Sequence, residues 1–396
     1  MNHEQGMHHN APDTTDSSYP KSWVRFQQNM RDADISRLSE SLNPSSGLFD
    51  RQLREGRWQS VARQEVLTST AINLIALHRA QVSQADIHLD AKKSLTMLTD
   101  AYRMKPYPGG IGLIVWANAV WDALDWQTIA ERCSTGNLQE RHALHKLTTM
   151  ELAWLIAGAL HQQRRVEIPW CEPIIEDALQ ILKTRFCRES GLFMHADNRS
   201  TTRHRSRKGI SNFADQIYAI FALSLLSISK KNKFALEMAN QCAGTLVAKQ
   251  GELGQWWWHY HTRSGKIAQS FPVYSVHQRA MAPMALLALK IADGDSFDDA
   301  LEKGARWIER NEMGISLVDN DAGTVWRDIE LEEWLPLRWA RLLKSVASQS
   351  FSTPLQMPFH RRSGLRTNHE TRPYEWGWSL YAAAIEQGGQ VPPHII

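Results

Sequence analysis

The residues best suited to chemistry in this chain lie in one aromatic and polar stretch between Lys249 and Leu289. A glycine-punctuated turn leads into three consecutive tryptophans, and a second turn returns the chain to a helix that begins with polar side chains. Ligand sites combine aromatic walls with a few polar groups that fix orientation, and flat aromatic faces suit sugar rings. The stretch therefore predicts an aromatic hairpin at a saccharide site, with the candidates Trp256, Trp258, His259, Tyr260, Tyr274, His277 and Gln278.

Further polar residues occur where other helices are expected to begin. Asn212 and Asp215 lie within one helical turn of each other, and Arg327 and Asp328 directly follow Trp326. Hydrolysis of a glycosidic bond needs two carboxyl groups, one a proton donor with a raised pKa and the other a base or nucleophile. The carboxyl candidates are Asp215, Asp328 and Glu375, with Tyr218, Tyr374 and Trp376 close to them in sequence.

Basic residues cluster before Asn212 and again near the end of the chain. If they lie at one end of the fold, they attract an acidic polysaccharide or a phosphorylated sugar. The net charge of +3 is too small to favour nucleic acid, so we expect no such partner. The basic set is Arg199, Arg203, His204, Arg205, Arg207, Lys208, Arg361, Arg362, Arg366 and Arg372.

Composition indicates an ordinary globular protein, with 43% hydrophobic and 22% charged residues. The first twenty residues lack the apolar core of a signal peptide, and no run of eighteen apolar residues predicts a membrane span. The cysteines form no C-x-x-C pair, so we expect them reduced and buried, and we expect no metal and no cofactor. Without a signal peptide or a membrane span, the predicted location is the cytoplasm. The four cysteines are Cys133, Cys171, Cys187 and Cys242.

The chain is predicted to have a disordered tail over residues 1–20 and a single domain over residues 21–396, in which residues 21–44 hold a short amphipathic piece. Apolar spacing near 3.6 residues predicts paired helices, and the first member of each pair is apolar on nearly all sides, as in a buried helix. The predicted pairs are 58–80 with 86–103, 111–124 with 126–133, 140–162 with 170–187, 210–229 with 231–249, 273–291 with 296–311, and 329–347 with 371–387.

Alternation of buried and amphipathic helices predicts an all-α fold, an (α/α)6 toroid or barrel in which an inner ring of helices lies inside an outer ring. Short β-hairpin-like turns join the helices, and an open helical solenoid is the alternative. Repeated turns support the ring, because Ser46-Gly47-Leu48-Phe49 and Ser190-Gly191-Leu192-Phe193 each precede a loop and then a helix. Equivalent turns place the beginnings of the inner helices at one mouth, where we expect the function.

The segment Gln250-x-x-x-Gly254-x-Trp256 resembles the Q-x-x-x-G-x-W core of the repeat in squalene and oxidosqualene cyclases. The helix-pair pattern over residues 47–390 is similar to the α/α toroids in general. That superfamily includes terpenoid cyclases, protein prenyltransferases, six-hairpin glycosidases and toroid polysaccharide lyases. The resemblance implies the architecture, and it implies no single reaction.

Each enzyme class in the superfamily requires different catalytic or metal-binding residues. Protonation-type cyclases need D-x-D-D, which the chain lacks, and a prenyltransferase zinc site cannot be assembled from its cysteines. Ionisation-type synthases need carboxylates for magnesium; Asp298-Asp299-x-x-Glu302 has that form but also suits the positive end of a helix dipole. Toroid lyases use Asn, His, Tyr and Arg, a set that Asn212, His277, Tyr274 or Tyr260, and Arg327 resemble in kind.

The leading interpretation is a carbohydrate-active protein that acts on an acidic or exopolysaccharide-type saccharide in an aromatic cavity, as a lyase or a glycosidase. The alternatives are an isoprenoid-processing enzyme and a non-catalytic saccharide-binding or assembly protein. The predicted catalytic residues are Asn212, Asp215, Tyr274, His277, Arg327 and Glu375. The predicted substrate-binding residues are Trp256, Trp258, His259, Tyr260, Gln278, Trp326, Trp376 and Arg205.

Overall fold

The computed structural model describes residues 22–50, 52–54, 56–59, 64–332 and 364–387. The predicted tail over residues 1–20 lies outside them. In chain order the described α-helices are α1 (Ser22–Ser41), α2 (Gln64–Arg79), α3 (Ala91–Met104), α4 (Ile111–Trp121), α5 (Trp126–Cys133), α6 (Arg141–Leu144), α7 (Thr149–Arg165), α8 (Cys171–Arg185), α9 (Thr202–Arg205), α10 (Phe213–Lys230), α11 (Lys233–Ala248), α12 (Ala282–Ile291), α13 (Asp298–Glu309) and α14 (Pro373–Gln387).

Short elements join these helices. Two 3-10 turns span Pro108–Gly110 and Thr135–Leu138, and a π-helical turn, His277–Met281, leads into α12. The described strands are β1 (Gln52–Arg54), β2 (Arg57–Gln59), β3 (Phe186–Cys187), β4 (Leu192–Phe193), β5 (Ile210–Asn212), β6 (His259–His261), β7 (Lys266–Gln269), β8 (Val273–Tyr274), β9 (Val318–Asp319), β10 (Thr324–Val325), β11 (Asp328–Leu331), β12 (Leu365–Asn368) and β13 (Glu370–Thr371).

Six helices form a closed inner ring. Each packs against the next in the order α2, α4, α7, α10, α12 and α14, and α14 packs back against α2. The outer layer contains α1, α3, α5, α8, α11 and α13, so inner and outer helices alternate along the chain. The predicted (α/α)6 toroid is therefore confirmed, and closure between α14 and α2 excludes the open solenoid.

The first helix corrects one part of the prediction. Residues 22–41 form a twenty-residue outer helix that packs on α13 and α14, and are not merely a short docking piece. Trp23 and Leu38 on this helix are buried, which explains why it belongs to the ring. In the predicted sixth pair, residues 328–331 form strand β11, and residues 333–347 lie outside the described part of the chain.

A buried polar network closes the ring between its two ends in sequence. The guanidinium of Arg279 donates to both carboxylate oxygens of Asp34 on α1, at 3.1 and 3.3 Å. Gln27, also on α1, donates to the carbonyl oxygen of Arg279 and accepts a hydrogen bond from Ser379 of α14 at 2.8 Å. Burial raises the pKa of Asp34, and the charge of Arg279 opposes that rise. The network thus joins α1, the π-helical turn and α14.

Aromatic side chains fill the axis of the ring. The buried indole of Trp116 on α4 stacks on His161 at 4.6 Å between ring centroids and lies within 6 Å of Phe221, Trp378 and Tyr381. These residues come from α4, α7, α10 and α14, and we call them the aromatic layer. The layer separates the two mouths of the ring.

The small sheets lie around the mouth at which the inner helices begin. Sheet β5–β6–β7 contains the predicted aromatic hairpin, and β11 pairs with both β8 and β12. The register places Asp328 opposite Tyr274 on one side and opposite Asn368 on the other. The pair β3–β4, the pair β9–β10 and the sheet β13–β1–β2 complete the set in the described residues. No helix among the described residues is both long and apolar enough to cross a membrane.

Two glycines allow α4 and α7 to touch through their backbones. A Cβ at Gly158 would lie 2.1 Å from the carbonyl oxygen of Gly112, and a Cβ at Gly112 would lie 2.4 Å from the nitrogen of Leu155. Any larger residue must push the two inner helices apart. Gly244, on the outer helix α11, has open space around it instead.

We expect Gly158→Ala to lower the free energy of unfolding by about 1–3 kcal/mol, because the overpacking outweighs the gain in helix propensity. Gly244→Ala is the matched control and should raise it by up to about 1 kcal/mol, since alanine favours the helix and meets no obstacle there. Urea denaturation measures both. Equal effects of the two substitutions would contradict the close backbone contact.

Candidate functional site

The beginnings of the inner helices meet at one end of the ring, which we call the N-terminal mouth. The carboxylate of Asp215, near the start of α10, accepts the backbone N–H of Met150 at the start of α7 at 3.2 Å. The ring of Phe213 lies 4.5 Å from that of His277, where the π-helical turn begins. The inner helices therefore run parallel, and side chains from their first turns face one another.

Arg327 is the centre of a buried charged cluster at this mouth. Its guanidinium donates to Glu375 and to the hydroxyl of Tyr374 at 3.4 Å, and its Nε lies 3.5 Å from Asp328 Oδ2. The guanidinium also lies over the ring of Tyr274, 5.0 Å from its centroid. The same guanidinium lies 3.8 Å from a carboxylate oxygen of Glu370, so one cation is shared by three carboxyl groups and two phenol rings.

Asp328 is the carboxyl group best suited to donate a proton. It is 2% exposed; its Oδ2 accepts from Asn368 at 3.1 Å, and its Oδ1 is buried with no hydrogen-bond partner in the described residues. Burial raises the pKa of Asp328 to about 7, although Arg327 lowers it. A carboxyl group with such a pKa carries a proton in a substantial fraction of molecules at neutral pH.

Burial also acts on the pKa values of Glu375 and Arg327. Burial raises the pKa of Glu375, and Arg327 opposes that rise. Burial alone would lower the pKa of Arg327, but Tyr374 and Glu375 hold it well above its usual value. Arg327 is therefore charged, and Glu375 provides its direct counter-ion.

Half-buried Trp258 provides an aromatic face beside this cluster. Its ring lies 4.9 Å from that of Tyr274 and is nearly parallel to that of His277 at 6.0 Å. Burial, with a further contribution from Arg327, lowers the pKa of His277 to about 3, so the imidazole is neutral. Its Nδ1 is buried without a partner in the described residues.

Asp215 has a different environment from Asp328. It accepts hydrogen bonds from His195 Nδ1 at 2.8 Å and from the backbone N–H of Asn212 at 3.1 Å, and Asn212 in turn caps α10. Burial would raise the pKa of Asp215, but His195 and the nearby Arg207 lower it below its usual value. Asp215 is therefore ionised and holds His195 in place. Asn212 caps the N-terminus of α10.

His195 is the residue of this group that the sequence interpretation missed, whereas Arg207 was named there only as one of the basic set. His195 follows the Ser190-Gly191-Leu192-Phe193 turn, which is the signal that marks it as close to an inner-helix terminus. Arg207 donates to His259 Nε2 at 3.2 Å, while His259 Nδ1 bonds with Gln269 at 2.8 Å. Burial and Arg207 lower the pKa of His259 to about 3, so that imidazole is neutral.

The remaining basic candidates differ in how close they lie to this core. The ring of His204 lies 5.5 Å from that of His195, and Glu370 links Arg372 to Arg327. Arg205 is exposed on the four-residue helix α9, so the nearby arginine that reaches the described site is Arg207. Arg366 pairs with Glu330, and Arg372 pairs with Glu370. Arg361 and Arg362 lie outside the described residues.

Several predicted substrate-binding residues are packed into the fold. Trp256, Tyr260, Gln278 and Trp376 are each at most 1% exposed. The amide of Gln278 lies against the Gly254 carbonyl at 2.9 Å and the Trp256 N–H at 3.1 Å, which fixes its orientation. Trp376 donates to Thr324 at 3.2 Å. Trp326, by contrast, is half-buried beside His369 at a separate 380 Å³ surface cavity.

The Q-x-x-x-G-x-W segment ties a turn to an outer helix. Gln250 donates to the carbonyls of Gly254 and of Ala300 on α13, at 3.0 and 2.9 Å. Gly254 has φ +106°, and a Cβ there would lie 2.0 Å from the carbonyl oxygen of Lys303. The segment therefore has a structural role here.

Two carboxylates of the Asp298-Asp299-x-x-Glu302 motif are paired on the outer helix α13. Asp298 bonds with Lys290 at 2.9 Å, and Glu302 with Arg306 at 3.1 Å. No group of three His, Cys, Asp or Glu in the described part of the chain is arranged to hold a metal ion. The four cysteines are free thiols; three are buried and Cys187 is partly exposed.

No family model of known proteins matches the chain, and no curated protein matches it. Among solved structures, an unsaturated glucuronyl hydrolase specific for heparin is 12% identical and matches over 94% of this chain and 99% of its own, with a TM-score of 0.61. Unsaturated glucuronyl hydrolase from Bacillus sp. GL1 is 11% identical, over 92% and 97%, with a TM-score of 0.59. The Streptococcus agalactiae enzyme is 10% identical, over 94% and 93%, with a TM-score of 0.57. These likenesses show the shared toroid fold.

The raised pKa of Asp328 makes stability depend on pH. In the unfolded chain the carboxyl group ionises near its usual value of 3.8, whereas in the folded chain it keeps its proton up to about pH 7. Its contribution to stability is therefore present below pH 3.8 and is lost as the pH rises to about 7. Asp328→Asn, which carries no ionisable proton, should gain stability relative to the wild type by at most about 4 kcal/mol between about pH 4 and pH 8.

Urea denaturation at a series of pH values measures this difference. Asp298→Asn on the outer helix is the matched control, and its difference from the wild type should stay nearly constant over the same range. A constant difference for Asp328→Asn would show that the carboxyl group ionises normally in the folded chain.

Proposed function

We propose that this chain is a glycoside hydrolase that cleaves an acidic saccharide at the N-terminal mouth. The observation that carries the proposal is Asp328, a buried carboxyl group with a pKa of about 7 and a free Oδ1, next to an aromatic face. Glycosidic cleavage needs a carboxylic acid that is still protonated near neutral pH. The solved glucuronyl hydrolases of the same fold support the reaction class.

The substrate would bind over the half-buried rings of Trp258 and Tyr274. These rings lie beside Arg327 and Asp328, so a sugar packed on them has its glycosidic oxygen near the acid. The basic residues that precede β5, among them Arg207, favour an anionic sugar in the same region. An acidic saccharide fits both features.

In this mechanism Asp328 protonates the leaving oxygen, and a base activates water. The Asp215–His195 pair is the candidate base, because Asp215 fixes Nδ1 of the imidazole and leaves Nε2 as the acceptor. Glu375 keeps Arg327 in position beside Asp328. The chain thus offers a buried acid, Asp328, whose pKa is raised, and a candidate base that an ionised carboxylate, Asp215, holds in place.

Elimination of a uronic acid is less well supported by the same geometry. A lyase needs a cation free to neutralise the substrate carboxylate, but Arg327 is already paired with Glu375. It also needs a base at C5, and burial raises the pKa of Tyr274. Isoprenoid chemistry is disfavoured by the buried charges at this mouth.

Asp328→Asn should lower kcat on a cleavable acidic oligosaccharide about 10²–10⁴-fold, because it removes the general acid. In the wild type, kcat/KM should fall as the pH rises above about 7, as Asp328 loses its proton. Release of reducing ends from glucuronate- and galacturonate-containing oligosaccharides measures both quantities. Asp298→Asn is the matched control and should keep wild-type activity.

Full activity of Asp328→Asn would refute the assignment of the acid. Product analysis separates the reaction classes, since hydrolysis adds water, and elimination creates a carbon–carbon double bond that absorbs ultraviolet light. Appearance of that absorbance from a saturated substrate would identify a lyase and contradict the hydrolase.

Adjacent tryptophans give a matched test of the aromatic face. Trp258 faces Tyr274 and His277, whereas Trp257 packs on Phe271 at 6.4 Å and donates to the carbonyl of Lys249 at 2.8 Å. We expect Trp258→Ala to lower kcat/KM at least about 10-fold, because a ring-stacking contact contributes about 1–3 kcal/mol in aromatic sites. Trp257→Ala should lower the melting temperature but leave kcat/KM within about twofold. The reverse pattern would place the substrate elsewhere.

A further inference from the structure

A second cavity lies at the opposite mouth, where the inner helices end. It has a volume of about 640 Å³ and is formed by the last turns of α2, α4 and α7 together with α14. Its floor is the aromatic layer, through Trp116, His161 and Tyr381. The layer separates this cavity from Trp258 and Asp328 at the N-terminal mouth. The proposed hydrolase mechanism uses none of its residues.

The polar wall of this cavity is basic. It contains Arg79, Arg164 and Arg165 together with His78, and no carboxylate of the described residues lines it. At the rim, Arg165 pairs with Asp122, a largely exposed residue. Burial, and then the charge of Arg79, lower the pKa of His78, so the positive groups already disfavour one another. An anion in the cavity would relieve this repulsion.

Two of the guanidinium groups have donors that nothing in the described chain satisfies. The Nε atoms of Arg79 and Arg165 are buried and have no hydrogen-bond partner there. A buried unpaired donor costs free energy unless a ligand or water satisfies it. Arginine N–H groups are suited to carboxylate and phosphate oxygens, because their geometry allows paired hydrogen bonds.

The floor provides an acceptor for an uncharged part of a ligand. His161 Nδ1 bonds with the carbonyl oxygen of Ala157 at 2.7 Å, and burial lowers the pKa of His161 to about 4. The neutral imidazole therefore donates from Nδ1 and keeps Nε2 as an acceptor, which suits a hydroxyl group. The volume is that of a small-molecule site and is far larger than one inorganic ion requires.

We propose that this cavity is a second binding site, for a sugar-sized organic anion that carries a carboxylate or a phosphate group. Arg79 and Arg165 bind the oxyanion, and the neutral floor receives the hydroxylated ring. Basic residues in the last turns of helices also complement the helix dipole. That role alone does not require a cavity of this size or buried Nε atoms without acceptors.

Calorimetric titration of the full chain at low salt tests the proposal. The probes are glucuronate and glucose 6-phosphate, which share a ring and differ in the anion, with glucose and inorganic phosphate as the two halves of the ligand. We expect at least one charged sugar to bind at least about 10-fold more tightly than glucose and than phosphate, which corresponds to about 1.4 kcal/mol. The double substitution Arg79→Gln, Arg165→Gln should weaken that binding at least about 10-fold.

Two variants locate the binding. Arg306→Gln, an exposed arginine of the outer helix α13, is the matched charge control and should bind like the wild type. Trp258→Ala changes the N-terminal mouth and should also retain binding here, so this test is separate from that of the hydrolase. The double variant should melt at or above the wild-type temperature without ligand, because it removes buried unsatisfied donors. If it does not fold, Arg79→Lys keeps the charge, removes Nε, and should still weaken binding several-fold.

Four results would overturn the proposal. The first is no measurable binding of either charged sugar, the second is binding that is not weakened in the double variant, and the third is binding that is lost in Trp258→Ala. The fourth is inorganic phosphate that binds as tightly as glucose 6-phosphate. The last result would identify a site for an ion alone.

Discussion

The structure depends on closing a ring between residues that are far apart in sequence. Arg279 and Asp34 form a buried two-bond ion pair, and Gln27 extends it to Ser379 on α14. Breaking a buried pair by removing one partner is costly, because the remaining charge loses its solvation without compensation. With this connection α1 completes the outer layer, α14 lies beside α2, and the six inner helices are held with their first turns at one mouth. The geometry of the candidate site follows from that closure.

At the N-terminal mouth, burial and charge act in opposite directions on each carboxyl group. Asp215 has a histidine and two backbone N–H groups as partners, so its pKa falls despite complete burial. Asp328 shares Arg327 with Glu375 and has one unpartnered oxygen, so burial prevails and its pKa rises. Two aspartates of the same type thus become an ionised anchor and a protonated acid. This difference is the physical basis of the proposed hydrolysis.

The two ends of the ring differ because a helix has different ends. At the beginnings of the inner helices, unpaired N–H groups favour acidic capping residues, and Asp215 and Glu151 both serve in capping boxes. At the opposite ends, unpaired carbonyls favour cations, and arginines line the second cavity. The aromatic layer between them keeps the two environments apart. One scaffold therefore offers two chemically distinct mouths.

The sequence by itself determined the architecture, and it predicted that the candidate site lies where the inner helices begin. Apolar periodicity and turn residues depend on near neighbours along the chain, so they predicted alternating helices, the hairpin after Trp258, and the convergence of Asn212, His277 and Glu375. Only the tertiary structure decided which candidates are packed into the fold, as Gln278 and Trp376 are. It also decided that Arg207, and not Arg205, reaches His259, and that His195 sets the ionisation of Asp215. Burial and pKa depend on distances between groups tens to hundreds of residues apart, and those distances exist only once the ring has closed.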